Sequence, residues 1–323
     1  MQGHLPRPKQ YPRFARWVIR AGVIILLFAV FAAGTLPLRA GEVPAVSVSI
    51  LPIHSLVAGI MAGVSAPTLL VDAGTSPHGF ALRPSQMAAI GDATLIVRIG
   101  GSLDGFLDRA VAAQADEARV LALMTLSGMA LRRLAAAGSD DHGQDEDGHD
   151  DGAFDPHIWL DPGNARVIVA ALAGELARLD PARDALYIAN ATALDAQLAA
   201  LDDALRALLE PLGDRPFVVF HDAYGYLQDA YGLEGALAVT LDPERKPGAR
   251  RISELRETIE TNGIGCVFSE PQYPDALVET LVESTGARAV RLDPLGAGVA
   301  PGPEAYFTVM QTMAGSLASC VAG

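Results

Sequence analysis

Positive charge is scarce in this sequence, and cysteine is scarcer still. Against 38 Asp and Glu stand 24 Lys and Arg, and there are two cysteines. The resulting net charge of −14 argues against nucleic acid as a partner, because phosphate binding needs clustered Lys and Arg. It is compatible with a cation as ligand. Membrane-spanning apolar runs are missing too. The conspicuous one, AGVIILLFAVFAAG at residues 21–34, falls short of the roughly 20 residues a span needs. Apolar content itself is not lacking. Half of the 323 residues are hydrophobic, which excludes disorder for most of the chain and, at about 150 residues per domain, points to about two domains.

The little positive charge is unevenly placed. Arg7, Lys9, Arg13, Arg16, Arg20 and Arg39 lie in the first 40 residues, which hold no acidic residue. A basic start, a short apolar core and then Thr35-Leu36-Pro37 have the layout of a secretory signal, with cleavage expected after Ala40. The other reading is an uncleaved anchor. No cysteine lies nearby, so lipid attachment is not expected. Beyond residue 40 the balance is 18 basic against 38 acidic residues, a net charge of −20. In an exported chain Cys266 and Cys320 can pair in the oxidising periplasm, or both can remain buried thiols.

Short β-branched runs alternate with helical patterns, as in parallel α/β architecture. The strand candidates are 45–51, 68–72, 93–99 and 119–123, then 216–220, 235–241, 264–268 and 288–292. Helical patterns near 54–64, 84–91 and 103–114 separate the first set. Those near 249–262, 274–285 and 303–318 follow in the second. Between the sets, residues 163–179 read as helix up to Asp180-Pro181. Tyr187, Ala191, Leu194, Leu198, Leu201, Leu205 and Leu208 then recur at four- and three-residue steps, on one helix face. The expected organisation is a signal at 1–40, an N-terminal α/β lobe at 41–162, a linking helix at 163–181 and a C-terminal α/β lobe at 182–323. Residues 138–155, GSDDHGQDEDGHDDGAFD, fit neither lobe. They read as a loop, either a solvated insertion or an arm that collects cations weakly through His142, His149 and nearby carboxylates.

Only seven histidines occur, so each can be placed. His4 lies in the signal. His221 follows the strand PFVVF, and His78 lies past the strand TLLVD in Ser76-Pro77-His78-Gly79. Asp293 ends the strand RAVRL, and Glu270 trails the strand that contains Cys266. Ligands of open α/β sheets bind beyond the carboxyl ends of the strands, so two facing lobes bring these side chains together. His157 sits in DPHIWLDP (155–162), held by prolines on both sides, with Asp155 or Asp161 available to orient its second ring nitrogen. Three imidazoles and one carboxylate suit zinc better than manganese or magnesium, whose sites are dominated by oxygen. His54, after the first strand, is a further candidate ligand, with a gating or surface role as the other reading.

These residues carry a resemblance. SPHGFALRPSQ (76–86), DPHIWLDP (155–162), FVVFHDAYGYL (217–227), LDPERKPGA (241–249), SEPQ (269–272), LDPLG (292–296) and EAYF (304–307) resemble the periplasmic zinc-binding proteins of high-affinity zinc ABC importers. That family lies within the wider group of metal-specific solute-binding proteins. The resemblance implies two Rossmann-like lobes with parallel sheets joined by a long rigid helix, and one metal in the cleft. It also implies a monomer without enzymatic activity, working with a membrane permease and its ATPase, with Zn2+ as the transported ligand. By motif, His78, His157 and His221 match the family's three imidazoles. Manganese-carrying relatives tend to have a carboxylate where His221 stands. Some zinc members place Glu before the first histidine; here that residue is Pro77, which cannot ligate, so Asp293 or a water is expected as fourth ligand. The family's acidic, His-rich loop matches 138–155, and its late disulfide matches Cys266 and Cys320. Two other readings compete. One is a zinc hydrolase with a three-His site and Glu270 as base, and the other is a manganese- or adhesin-type relative.

Overall fold

The computed structural model describes residues 42–114, 118–134, 154–283 and 285–322. All eight expected strands form, in two four-stranded parallel sheets. The first contains β1 (Val46–Val48), β2 (Thr68–Leu69), β3 (Leu95–Arg98) and β4 (Arg119–Ala122), in the order β2-β1-β3-β4. The second contains β5 (Phe217–His221), β6 (Ala236–Thr240), β7 (Cys266–Ser269) and β8 (Arg288–Arg291), in the order β6-β5-β7-β8. Every residue of β1, β3, β5 and β7 is buried. That is the behaviour of central parallel strands covered by helices on both faces, and it explains why they read as continuous apolar runs rather than alternating ones.

Both sheets have the repeated doubly wound order, in which the chain leaves the first strand in opposite directions. In the second sheet the reversal falls between β5 and β7, which pair through Val218 and Val267. His221 is the last residue of β5, and Glu270 directly follows β7. The topology therefore places a histidine and a carboxylate at the point where two strand ends diverge and leave a crevice.

The segment between the sheets is built from two helices, Pro162–Leu179 and Asp184–Leu209, which pack on one another. The first has Pro162 at its opening position, and the Asp161 side chain accepts from Gly163 N at 2.7 Å, the usual chemistry of a helix start. The 26-residue second helix buries Tyr187, Ala191, Leu194, Leu198, Leu201, Leu205 and Leu209. The stripe thus ends on Leu209, while Leu208 is 42% exposed. A strict seven-residue repeat drifts by about 20° per heptad on a straight helix. After three heptads Leu208 has rotated off the buried face and its neighbour has replaced it.

One continuous apolar core holds residues of both halves, from Val46, Ile53 and Leu56 to Tyr306, Met310 and Leu317. The last helix, Ala305–Val321, packs against the first, Leu51–Ile60. Ser55 Oγ joins them, donating to Pro303 O at 2.9 Å and accepting from Tyr306 N at 2.9 Å. Cys266 in β7 and Cys320 in the last helix form a disulfide, which resolves the choice left by the sequence. The helix Gly225–Tyr231 was not expected from the sequence. No helix among the described residues is long and apolar enough to cross a membrane.

Candidate metal centre

His78, His157 and His221 converge. One nitrogen from each lies within 4.8 Å of the others, and together with Trp159, Glu270, Gln272 and Leu295 they line a cavity of about 10 Å³, room for roughly a single ion or water. Each imidazole arrives differently. His221 is carried by β5. His157 heads the short turn Ile158–Leu160, whose three side chains are all buried. Trp159 Nε1 donates to Pro294 O at 2.8 Å, and Tyr306 Oη donates to Trp159 O at 2.8 Å. His78 rides on the loop after β2 and is half-buried. Its backbone N–H donates to Ser76 Oγ at 3.1 Å.

Two of the three rings are oriented by buried carboxylates. His157 Nδ1 lies 2.7 Å from Asp155 Oδ1, which also accepts from the His157 backbone N–H at 3.0 Å. His221 Nδ1 lies 2.7 Å from Glu270 Oε1, which also accepts from Tyr224 Oη at 3.1 Å. A carboxylate only accepts, so each Nδ1 carries a hydrogen, and in the neutral ring Nε2 is then the nitrogen that can present a lone pair to a metal. The two Nε2 atoms face each other at 3.3 Å. In a tetrahedral zinc site with bonds of about 2.0–2.1 Å, donor nitrogens stand roughly 3.3–3.4 Å apart. Burial and the two neighbouring imidazoles push the His78 pKa down to about 3, so this ring is a neutral donor. Burial and the Glu270 charge raise the Tyr224 hydroxyl well above its ordinary value, so it stays a donor to Glu270.

Other sequence candidates fall elsewhere. Asp293 is outside the imidazole cluster. Its Oδ1 accepts from Leu295 N at 3.1 Å and Gly296 N at 2.9 Å, and its Oδ2 accepts from Ala297 N. The carboxylate therefore caps the loop after β8. That loop approaches the core closely at Gly296, where φ is +82° and a Cβ would stand 2.5 Å from Val309 Cγ2. Asp161 caps its helix and does not orient His157. His54 is neither a surface group nor part of the cluster. It is buried in Leu51–Ile60, with Nε2 3.1 Å from Pro67 O. His142 and His149 lie outside the described residues, as does most of the acidic segment. Asp155, which composition grouped with that segment, is fully buried and belongs to the centre.

Sequence reading missed the residues that hold the His78 loop. Tyr273 Oη donates to Ser76 Oγ at 2.8 Å, Ser76 Oγ donates to Glu244 Oε1 at 3.0 Å, and Gln272 Nε2 donates to Ala73 O at 2.7 Å. Gln272 ends the SEPQ motif and Glu244 lies in LDPERKPGA, but nothing in their spacing connects them to a loop about 170–200 residues away.

A family model described as Zinc-uptake complex component A periplasmic matches residues 46–320. The High-affinity zinc uptake system protein ZnuA of Brucella abortus (strain 2308) is 37% identical over 310 residues, covering 87% of this chain and 93% of that protein. The protein of the same name from Paracoccus denitrificans (strain Pd 1222) is 35% identical over 320 residues, covering 92% and 97%. A crystal structure of ZnuA superposes with a TM-score of 0.74 at 26% identity, covering 87% of this chain and all of that one.

Proposed function

The chain belongs to the periplasmic zinc-uptake complex component A family, and from that premise we propose that it captures Zn2+ in the periplasm and delivers it to the permease of an ABC importer driven by its ATPase. The observation that carries this reading is the pair of carboxylate-oriented imidazoles, His157 and His221, whose Nε2 atoms face each other at 3.3 Å. In neutral rings that donate from Nδ1, both Nε2 lone pairs point at this gap, and a cation between them relieves their repulsion. His78 supplies the third nitrogen. Nitrogen-rich donors favour zinc over manganese, which prefers oxygen. Asp155 and Glu270 set the tautomers and raise the basicity of the ligating nitrogens, as carboxylates behind metal-bound imidazoles do.

A binding role also accounts for features that hydrolysis does not. The cavity has room for about one ion, and Glu270 Oε1 is engaged by His221 and Tyr224. On this reading the mature protein is a non-lipidated monomer released after residue 40, and the helices between residues 162 and 209 join its two lobes. The acidic segment adds weaker sites at His142 and His149.

Titration of the purified mature protein with Zn2+ against a competing chelator tests the assignment. One tight equivalent is expected, with anomalous scattering at the zinc edge placing the ion among His78, His157 and His221. Retention of that equivalent by His221→Ala overturns the ligand set. Deleting residues 140–151 is expected to leave the tight equivalent intact.

A further inference from the structure

Gln272 is tied into the centre in a way that its side-chain chemistry makes specific. Its Nε2 donates to Ala73 O at 2.7 Å, on the loop that carries His78, and to Asp293 Oδ1 at 2.9 Å, on the loop after β8. Both partners can only accept, so the amide has one possible orientation. Its carbonyl end, Oε1, is then a pure acceptor. That atom is buried without a partner, and Gln272 lines the same cavity as the three imidazoles. An acceptor buried without a donor is unfavourable, a cost that a donor inside the cavity would remove.

A bound zinc ion would supply such a donor. Zinc takes four ligands, and the described residues of this centre offer three nitrogens. Asp293 is held away by backbone N–H groups. Where the protein gives three ligands the fourth is water, and zinc polarises its bound water into a strong hydrogen-bond donor. We propose that Gln272 is a positioning residue whose Oε1 accepts from the zinc-bound water, while its amide N–H groups hold the His78 loop against the half that bears His221. One side chain then links the presence of the fourth ligand to the closure of the loop that supplies the first. This inference rests on the zinc reading of the centre. It adds that the metal's selectivity and release depend on a residue that is not a ligand.

Substitution of Gln272, read with Zn2+ and with Co2+, tests it. Co2+ reports its own coordination through visible d–d bands, which a purely structural defect at a distance would not alter. Q272A is expected to weaken zinc binding by about 10-fold or more, in the range found for groups behind the ligands, and to change the shape and intensity of the cobalt bands. Q272E keeps an oxygen acceptor but loses both N–H donors. Its cobalt bands are therefore expected to match the wild type, while cobalt leaves faster in stopped-flow chelation. Superimposable cobalt spectra for the wild type and Q272A, with zinc affinity within a factor of two, overturn the proposal. So does a Q272E spectrum that matches Q272A. If the wild-type protein itself takes up no tight equivalent of zinc, the functional reading fails instead, and the two failures are thereby distinct.

Discussion

His157 and His221 meet Nε2 to Nε2 at 3.3 Å, although 64 residues separate them in sequence. Each is turned into that position by a buried carboxylate behind it, Asp155 for one and Glu270 for the other. Each Nδ1 donates its hydrogen to the carboxylate, so the neutral rings turn their Nε2 lone pairs toward one another. This arrangement is poor packing for a metal-free protein and good geometry for a cation.

Removal of a facing imidazole is expected to abolish tight zinc binding. His157→Ala and His221→Ala should each weaken it by at least about 100-fold, since the remaining two protein ligands leave the tetrahedron open. Isothermal titration with a competing chelator measures this. Affinity within 10-fold of the wild type for either variant would show that the ion sits elsewhere.

The carboxylates behind the rings should matter nearly as much. Glu270→Gln removes the charge while keeping the size, and about 10- to 100-fold loss of zinc affinity is expected. Cadmium or cobalt affinity should fall in parallel. An effect confined to thermal stability, with binding intact, would mean that Glu270 serves packing through Tyr224 alone.

Acid should destabilise the metal-free protein through its buried imidazoles. Burial and two like neighbours bring the pKa of His78 down to about 3, and burial also lowers that of His54. The unfolded chain, with histidines near 6.5, therefore binds protons that the folded chain refuses. Stability from this source is fully retained above about pH 6.5 and declines as pH falls toward 3. Melting temperature against pH, in chelator, is expected to fall less steeply for His78→Gln than for the wild type. Parallel curves between pH 7 and pH 4 would remove His78 from the account.

Reduction of the Cys266–Cys320 bridge is expected to cost stability without abolishing zinc binding. The bond closes a loop spanning 54 positions, and chain entropy assigns about 4 kcal/mol to a loop of that size. The bridge anchors the last helix to β7, while the ligands lie at strand ends and on loops. Denaturant unfolding of oxidised and Cys266→Ser/Cys320→Ser proteins gives the difference, and a zinc titration of the double variant checks the centre.

Local pattern was enough for much of this molecule. Runs such as PFVVF and ATLIVRI are too apolar and too β-branched to be anything but buried strands, and their alternation with helices leaves parallel α/β architecture as the solution. The histidines could be placed because strand ends determine where side chains of an open α/β sheet converge. The sequence also kept His157 between two prolines with Asp155 and Asp161 both close by, and the fold selected Asp155 to orient it.

Tertiary structure decided what depended on contacts between distant segments. Asp293 ends a strand at the right edge and reads as a ligand, yet its carboxylate is claimed by the backbone N–H groups of the turn that follows. A side chain's partner is set by which donors reach it first, and the one-dimensional order does not contain that distance. The same reason hid Gln272, whose contact with Ala73 lies 199 positions away. His54 reads as a cleft residue because it follows β1, but helix Leu51–Ile60 turns it into the core. The sequence by itself determined the scaffold and the three imidazoles, because hydrophobic burial and strand-end position are local properties. Which carboxylate orients, which caps a loop and which side chain lies beside the fourth position were decided only when the chain had closed on itself.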